Sequence, residues 1–264
     1  MHATERQRVI LDALKPNGFI TYRDLEAQLA ASPATIRRDL ARLEARGHIV
    51  RVHGGAKLPE ATETSFHLAG TPFDQSIMQN LAAKRAIGKA AAALCRSGEG
   101  VMIDGGTTTL QMCPYLAGLD LQVLTNSLHI VNALLPQAGT RILLPSGAVF
   151  REQNIILAPA GEDSMPRFHA PKLFMGAAAV GPQGVMQHDV ILVAAERRLI
   201  DQAEEVVLLV DSAKFASSSG AIVCGLDEVD ILITDAGIDQ DMAERIRDAG
   251  VELMICKPSG EQAG

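Results

Sequence analysis

Three stretches in the later part of the chain end an apolar run on residues that can hold an anion or a polyol. The first is Val101-Met-Ile-Asp104-Gly105-Gly106-Thr107-Thr108-Thr109-Leu110: a strand, a glycine pair and a hydroxyl-rich helix start. Glycines let backbone N–H groups come close to an oxyanion, the helix start offers unpaired donors, and threonine hydroxyls add more. A phosphate cradle is built this way. The GKS or GKT ending of a Walker loop is missing and the spacing does not fit GxGxxG, which disfavours a nucleotide. The plain alternative is a turn that needs its glycines for geometry alone. The second stretch, Leu124-Thr125-Asn126-Ser127, can bond sugar hydroxyls or merely cap the next helix, and capping is the default. The third, Val210-Asp211-Ser212-Ala213-Lys214-Phe215, places an acid and an ammonium just past a strand. Lysine can pair with a phosphate as a point charge, or Asp211 and Lys214 form only a surface ion pair. Ser146-Gly147 after RILLP, with Arg151 beyond, would complete a rim, and Glu196-Arg197 sits on a helix that could face the cleft. No Ser/His/Asp or metal-ligand cluster stands out, and His169, His188 and Asp189 have no visible partners. No catalytic residue, metal or cofactor is expected.

A different chemistry lies near the amino end, in SPATIRRDLARLEARGHIVRVHGGA, residues 32–56. Ser32 can cap a helix and Pro33 suits its first position. Ile36, Leu40 and Leu43 make one apolar stripe, while Thr35, Arg37, Arg38 and Arg42 fall beside it or on other faces. The arginine fork can donate to guanine O6 and N7 together, or clamp a backbone phosphate. After Gly47, His48 to His53 is β-prone and ends in a glycine pair, so Arg51 and His53 belong to a short basic hairpin. The plain alternative is a solvated helix face.

The surrounding elements decide between these readings. A capping box opened by Thr4 starts a helix with Val9, Ile10, Ala13 and Leu14 on one side, and Thr21 to Asp24 resembles a second cap before Leu25 and Leu29. Helix, helix, turn, recognition helix and hairpin make a winged helix-turn-helix over residues 1–57, a module that lays its recognition helix in the major groove of double-stranded DNA. Residues 58–76 are polar with two prolines and no sustained period, and read as linker. Over residues 77–258 strand and helix signals alternate, with strands as near-continuous aliphatic runs. That implies a parallel-sheet α/β domain with both faces covered, and ligands at the carboxyl ends of its strands.

Charge divides along the same line. Residues 1–57 carry 10 Lys+Arg against 6 Asp+Glu, a balance of +4, while the remainder carries 14 against 25, a balance of -11. A basic head draws polyanions and an acidic body keeps off them. With no Trp and only 2 Tyr, stacking of single-stranded bases is not expected. Cys95, Cys113, Cys224 and Cys256 form no CxxC pair, so reduced, mostly buried thiols are expected. No apolar run approaches a membrane span and the amino end lacks a signal-peptide core, which points to the cytoplasm.

With these residues in view, the chain resembles the DeoR family of bacterial transcriptional regulators over nearly its whole length. The resemblance rests on residues 32–56 together with AAKRAIGKAAA, MIDGGTTTL, VLTNS and VDSAKF in that order. DVILVAAERRLIDQAEEVVLLVDSAKF looks nearest to the ascorbate-utilisation repressor branch. The resemblance implies an effector domain similar to the sugar-phosphate isomerase fold that binds a phosphorylated sugar without converting it. Asp104, Gly105, Gly106, Thr107, Thr108, Thr125, Asn126 and Lys214 would line its pocket. Two stretches depart from the family: Ser146-Gly147 stands where Gly-Gly is common, and Gly176-Ala-Ala-Ala179 is small and apolar. The expectation is a homo-oligomeric repressor, dimer or tetramer, of a carbohydrate operon, holding a DNA operator in its head and a phosphorylated sugar in its body. The alternative is an isomerase-like enzyme carrying a helix-turn-helix.

Overall fold

The computed structural model describes residues 6, 9–10, 13–14, 19–29, 31, 33–45, 49–52, 55–57, 73–151, 153–157, 166 and 168–257. The chain divides into two compact units, Met1–His67 and Leu68–Gly264.

In the first unit, Arg6, Val9, Ile10, Ala13 and Leu14 are helical. There follow β1 (Phe19–Thr21), the helices Tyr22–Gln28 and Pro33–Ala45, β2 (Val50–Val52) and β3 (Gly55–Lys57). Thr21 caps its helix as its spacing predicts, accepting the Asp24 N–H at 3.1 Å. The apolar stripe of the second helix, Ile36, Leu40 and Leu43, packs with Ile10, Leu14, Leu25 and Leu29 into one core. The short strand β1 was not expected. It pairs antiparallel with β3, giving the order β1-β3-β2. Gly55 permits this, because a Cβ there would collide with the Ile20 carbonyl. Ser32, the Thr4 cap, His53 and Gly54 lie outside the described residues, as does the expected linker up to residue 72.

The second unit is built on a seven-stranded parallel sheet. Its strands are β4 (Gly100–Ile103), β5 (Gln122–Leu124), β6 (Arg141–Leu143), β9 (Ala170–Met175), β12 (Ala203–Leu209), β14 (Ile231–Asp235) and β15 (Glu252–Cys256), ordered β15-β14-β12-β9-β4-β5-β6. Alternate residues of each strand enter two cores. Val101, Ile103, Val207, Leu209 and Ile233 face the helix Leu81–Ala92, while Met102, Leu173, Met175, Leu208 and Leu232 face the other way. Burial on both faces explains the unbroken aliphatic runs.

Several elements depart from the sequence reading. Two small antiparallel assemblies flank the sheet: β7 (Ala148–Phe150) with β8 (Ile155–Leu157), and β10 (Ala179–Gly181), β11 (Gly184–Gln187) and β13 (Ala221–Cys224). The expected strand LFMGAAAV is thus two strands with a break at Gly176-Ala177-Ala178. After the glycine pair, Thr109–Tyr115 forms a tight 3-10 helix, where Pro114 removes a backbone donor. The end of the expected linker is helical instead. In Phe73–Ser76 the Phe73 ring is buried and stacks on His129, with centroids 4.0 Å apart.

All four cysteines are free, with Cys113 and Cys224 buried, and burial pushes the thiols of Cys95, Cys113 and Cys224 up to about 12. Among the described residues no helix is long and apolar enough to cross a membrane, and no His, Cys, Asp and Glu cluster could hold a metal ion.

Candidate functional site

Two surfaces carry the residues singled out in the sequence. On the helix Pro33–Ala45, burial of Ile36, Asp39, Leu40 and Leu43 turns the opposite face to solvent. Arg38 and Arg42, one turn apart, share that face with Ala34, and Arg37 is exposed beside it. Thr35 is half-buried. Small residues around two arginines suit a helix that must sit close to a groove. Asp39, which no motif in the sequence singles out, accepts the Arg6 Nε–H at 2.8 Å from inside the core and so ties the first helical residues to this helix. Arg51 lies in β2, and His53 is outside the described residues.

In the second unit a cleft of about 820 Å³, its open mouth included, lies at the carboxyl ends of β4, β5, β9 and β12. Strand order reverses between β4 and β9, and such reversals are where open α/β sheets bind ligands. The cleft gathers Asp104, Gly105, Gly106, Thr107, Thr108, Asn126 and Lys214. Asn126 organises the loop: its Nδ2 donates to Asp104 Oδ1 at 3.1 Å, and its Oδ1 accepts the Gly105 N–H at 3.1 Å. Thr109 Oγ1 donates to the Asp104 carbonyl at 2.8 Å. With Gly105 engaged, the N–H groups of Gly106, Thr107 and Thr108 remain, and none meets a protein acceptor among the described residues. Three successive free N–H groups at a turn are what an anion nest requires. Lys214 reaches the same cleft, half-buried, and among the described residues no carboxylate pairs with it.

Asp211, the other member of that strand end, turns away. It is buried, accepting Asn80 Nδ2 at 2.8 Å and the Ala213 N–H at 3.3 Å. The ion pair between Asp211 and Lys214 that the sequence allowed is therefore not made. Three other expected residues stand off the cleft wall. Thr125 is buried and its hydroxyl accepts the Ser127 N–H at 3.1 Å, while Ser127 caps the helix Leu128–Leu134. A polar triplet thus splits its duties, with Asn126 alone at the cleft. Ser146 and Gly147 precede β7 and do not line the cleft, because the chain first runs through the β7–β8 hairpin and returns Gln153 and Ile155 instead. Arg151 is exposed outside it, and Arg197 pairs with Glu228 at 2.6 Å.

Glu196, a lesser candidate in the sequence, proves central. It is 3% exposed and lines the cleft beside Asp104, with Gln187 Nε2 donating to its Oε1. The signal was present: Leu192, Ala195, Glu196 and Leu199 form one helical stripe, and an acid on a stripe that turns inward needs a reason. Burial pushes the Asp104 carboxyl up to about 6, partly offset by the hydrogen bonds it accepts. Glu196 is held well above the ordinary range by burial first and the Asp104 charge second. Lys84, read only as part of an alanine-rich helix, is 1% exposed and donates from Nζ to the Ser76 carbonyl at 2.7 Å. Its pKa is lowered, chiefly by burial, with Asp211 opposing. Phe73, Ser76, Gln187 and His188 also line the cleft and carried no sequence signal.

The comparisons with known proteins follow the same division. A family model described as a DeoR-like helix-turn-helix domain matches residues 6–62, and one described as the DeoR C terminal sensor domain matches residues 79–236. A putative aga operon transcriptional repressor of Escherichia coli O157:H7 is 34% identical over 254 residues, covering 96% of this chain and 93% of the relative. The HTH-type transcriptional regulator UlaR of Shigella sonnei (strain Ss046) is 29% identical over 255 residues, covering 96% of this chain and 99% of its own. Among solved structures, ribose 5-phosphate isomerase A from Methanocaldococcus jannaschii is 14% identical, covers 54% of this chain and 55% of that one, and has a TM-score of 0.38. The family models together take in the head and most of the body, and the chain belongs to the DeoR family as a DNA-binding transcriptional repressor with a carboxyl-terminal sensor domain.

Proposed function

We propose that this repressor controls a carbohydrate-utilisation operon and that a phosphorylated sugar, bound in the cleft, changes its hold on the operator. The observation that supports this most is the loop after β4, where the N–H groups of Gly106, Thr107 and Thr108, without acceptors among the described residues, share a cleft with Lys214, which has no carboxylate partner among them. Backbone amides and an ammonium on the wall of one cleft suit a phosphate. Gln153, Gln187 and Asn126 supply amides of the kind that bind sugar hydroxyls. Arg37, Arg38, Arg42 and Thr35, with Arg51 and His53, are the proposed DNA contacts, in a head of residues 1–57 joined to a sensor of residues 77–258. A two-fold symmetric dimer or tetramer would present paired recognition helices to repeated half-sites. The effector must bind the DNA-competent and DNA-free states unequally, or it shifts nothing.

Fluorescence anisotropy of the protein on its own upstream DNA, at two salt concentrations and with a panel of sugar phosphates, tests the reading. Specific, salt-sensitive binding that one sugar phosphate alters is expected. Binding that responds to free sugars and not to their phosphates would overturn it.

A further inference from the structure

The acid pair in the cleft has a property the phosphate reading does not use. Asp104 is 4% exposed and Glu196 3%, both on the cleft wall. Among the described residues each acid has one side-chain amide partner, Asn126 on Asp104 Oδ1 and Gln187 on Glu196 Oε1. Glu196 Oε2 is buried and receives no hydrogen bond from the described residues. Its neighbour is Asp104, another carboxyl, which can be its partner only if the two share a proton. Among the described residues no lysine, arginine or histidine forms an ion pair or hydrogen bond with either acid, and Lys214 bears instead on His188 and on Lys84. Two buried carboxyls without a cation are costly, and a group that brings one relieves the cost.

We propose that Asp104 and Glu196 form a subsite for an ammonium group, making the preferred effector an amino sugar phosphate; this rests on the cleft being the site of a phosphorylated sugar. An ammonium brings three donors and a positive charge, enough to bridge Asp104 and the unpartnered Glu196 Oε2 together. A hydroxyl brings one donor and no charge. The nest at Gly106 to Thr108 and Lys214 would hold the phosphate of the same molecule. The arrangement also has a proton linkage. Burial keeps a proton on the free pair, so an ammonium must displace it, and its binding strengthens as pH rises while the amine stays charged. The other titratable groups facing the cleft are His188, which follows β11, and Lys214 from the turn after β12. Burial and Lys214 hold His188 below its ordinary value.

The test is calorimetric titration of the full-length protein with two matched pairs: glucosamine and glucose 6-phosphates, and galactosamine and galactose 6-phosphates. Within a pair the phosphate, His188 and Lys214 terms are shared, so the affinity ratio isolates the amine. In at least one pair the amino compound is expected to bind about ten-fold tighter or more. That ratio should widen between about pH 6 and pH 7.5, shrink when the amine is acetylated, and fall toward one in Glu196→Gln. Ratios near or below one in both pairs of the wild-type protein would overturn the ammonium subsite and leave the phosphorylated-sugar reading standing. Failure of all four compounds and of inorganic phosphate to bind the folded protein would remove both.

Discussion

Asn126 joins Asp104 to the Gly105 N–H, so a single amide both fixes the loop and decides which backbone donors stay free for a ligand. Lys214 complements those donors. Replacing it by alanine should weaken binding of inorganic phosphate or a sugar phosphate by roughly ten-fold, the worth of one charge-assisted hydrogen bond, as titration calorimetry would show; an unchanged affinity would place the phosphate elsewhere. The acid pair also makes a stability prediction in the absence of effector. Asp104 and Glu196 have folded-state pKa values raised above their ordinary ones, so the stability they contribute is present below the ordinary carboxylate range. It is lost as pH rises through about 6 for Asp104, and for Glu196 as pH rises well above the ordinary carboxylate range. Glu196→Gln removes one of these titrations. Its melting temperature should fall less than that of the wild type between pH 5 and pH 7.5, each within roughly the range these shifts span, and parallel melting curves would contradict the assignment.

At the scale of elements, close approach is the controlling feature. The helix Leu81–Ala92 crosses the Thr109–Tyr115 segment at Gly88, where a Cβ would come within 2.6 Å of the Gln111 carbonyl carbon. Because that neighbour is backbone, it cannot swing aside. Gly88→Ala should gain helix propensity and still lose stability by about 1–3 kcal/mol, measured by urea unfolding. A more stable variant would mean that the two segments can part without cost. On the recognition helix, Arg38 and Arg42 share the exposed face, and their roles separate by salt. An arginine that clamps a phosphate should, as alanine, weaken binding to all sequences and lower the salt slope by about 1. One that reads a base should relax specificity at one position with little change in slope. Anisotropy on matched and mutated operators distinguishes them.

For the whole molecule the charge division is the main physical fact. A head of +4 and a body of -11 direct DNA to one unit, and operator affinity should fall by orders of magnitude between about 50 and 200 mM salt. An affinity independent of salt would be inconsistent with arginine-mediated contact. The segment Phe73–Ser76 matters at this scale too. It follows the stretch leading from the head, it lines the cleft through Phe73 and Ser76, and it is held by His129 and by Lys84. A ligand in the cleft therefore meets the first described turn of the sensor unit.

Periodicity and composition alone determined the amphipathic helix Pro33–Ala45 and the parallel sheet. These depend on local rules: Ile36, Leu40 and Leu43 must share a face, and aliphatic runs such as Val206 to Val210 are stable only when covered on both sides. The loop at Asp104 to Thr108 was legible for the same reason, since a glycine pair after a strand is a local signal. The tertiary structure decided what no local rule reaches. It brought Asp104 and Glu196 to one cleft wall, sent Asp211 to Asn80 and, among the described residues, left Lys214 without a carboxylate partner, and it kept Thr125 off the cleft while placing Asn126 on it. The β7–β8 hairpin likewise replaced Ser146 and Gly147 with Gln153 and Ile155. Each outcome joins residues far apart in the chain, and their meeting is set by strand order and packing, which one segment read alone does not encode.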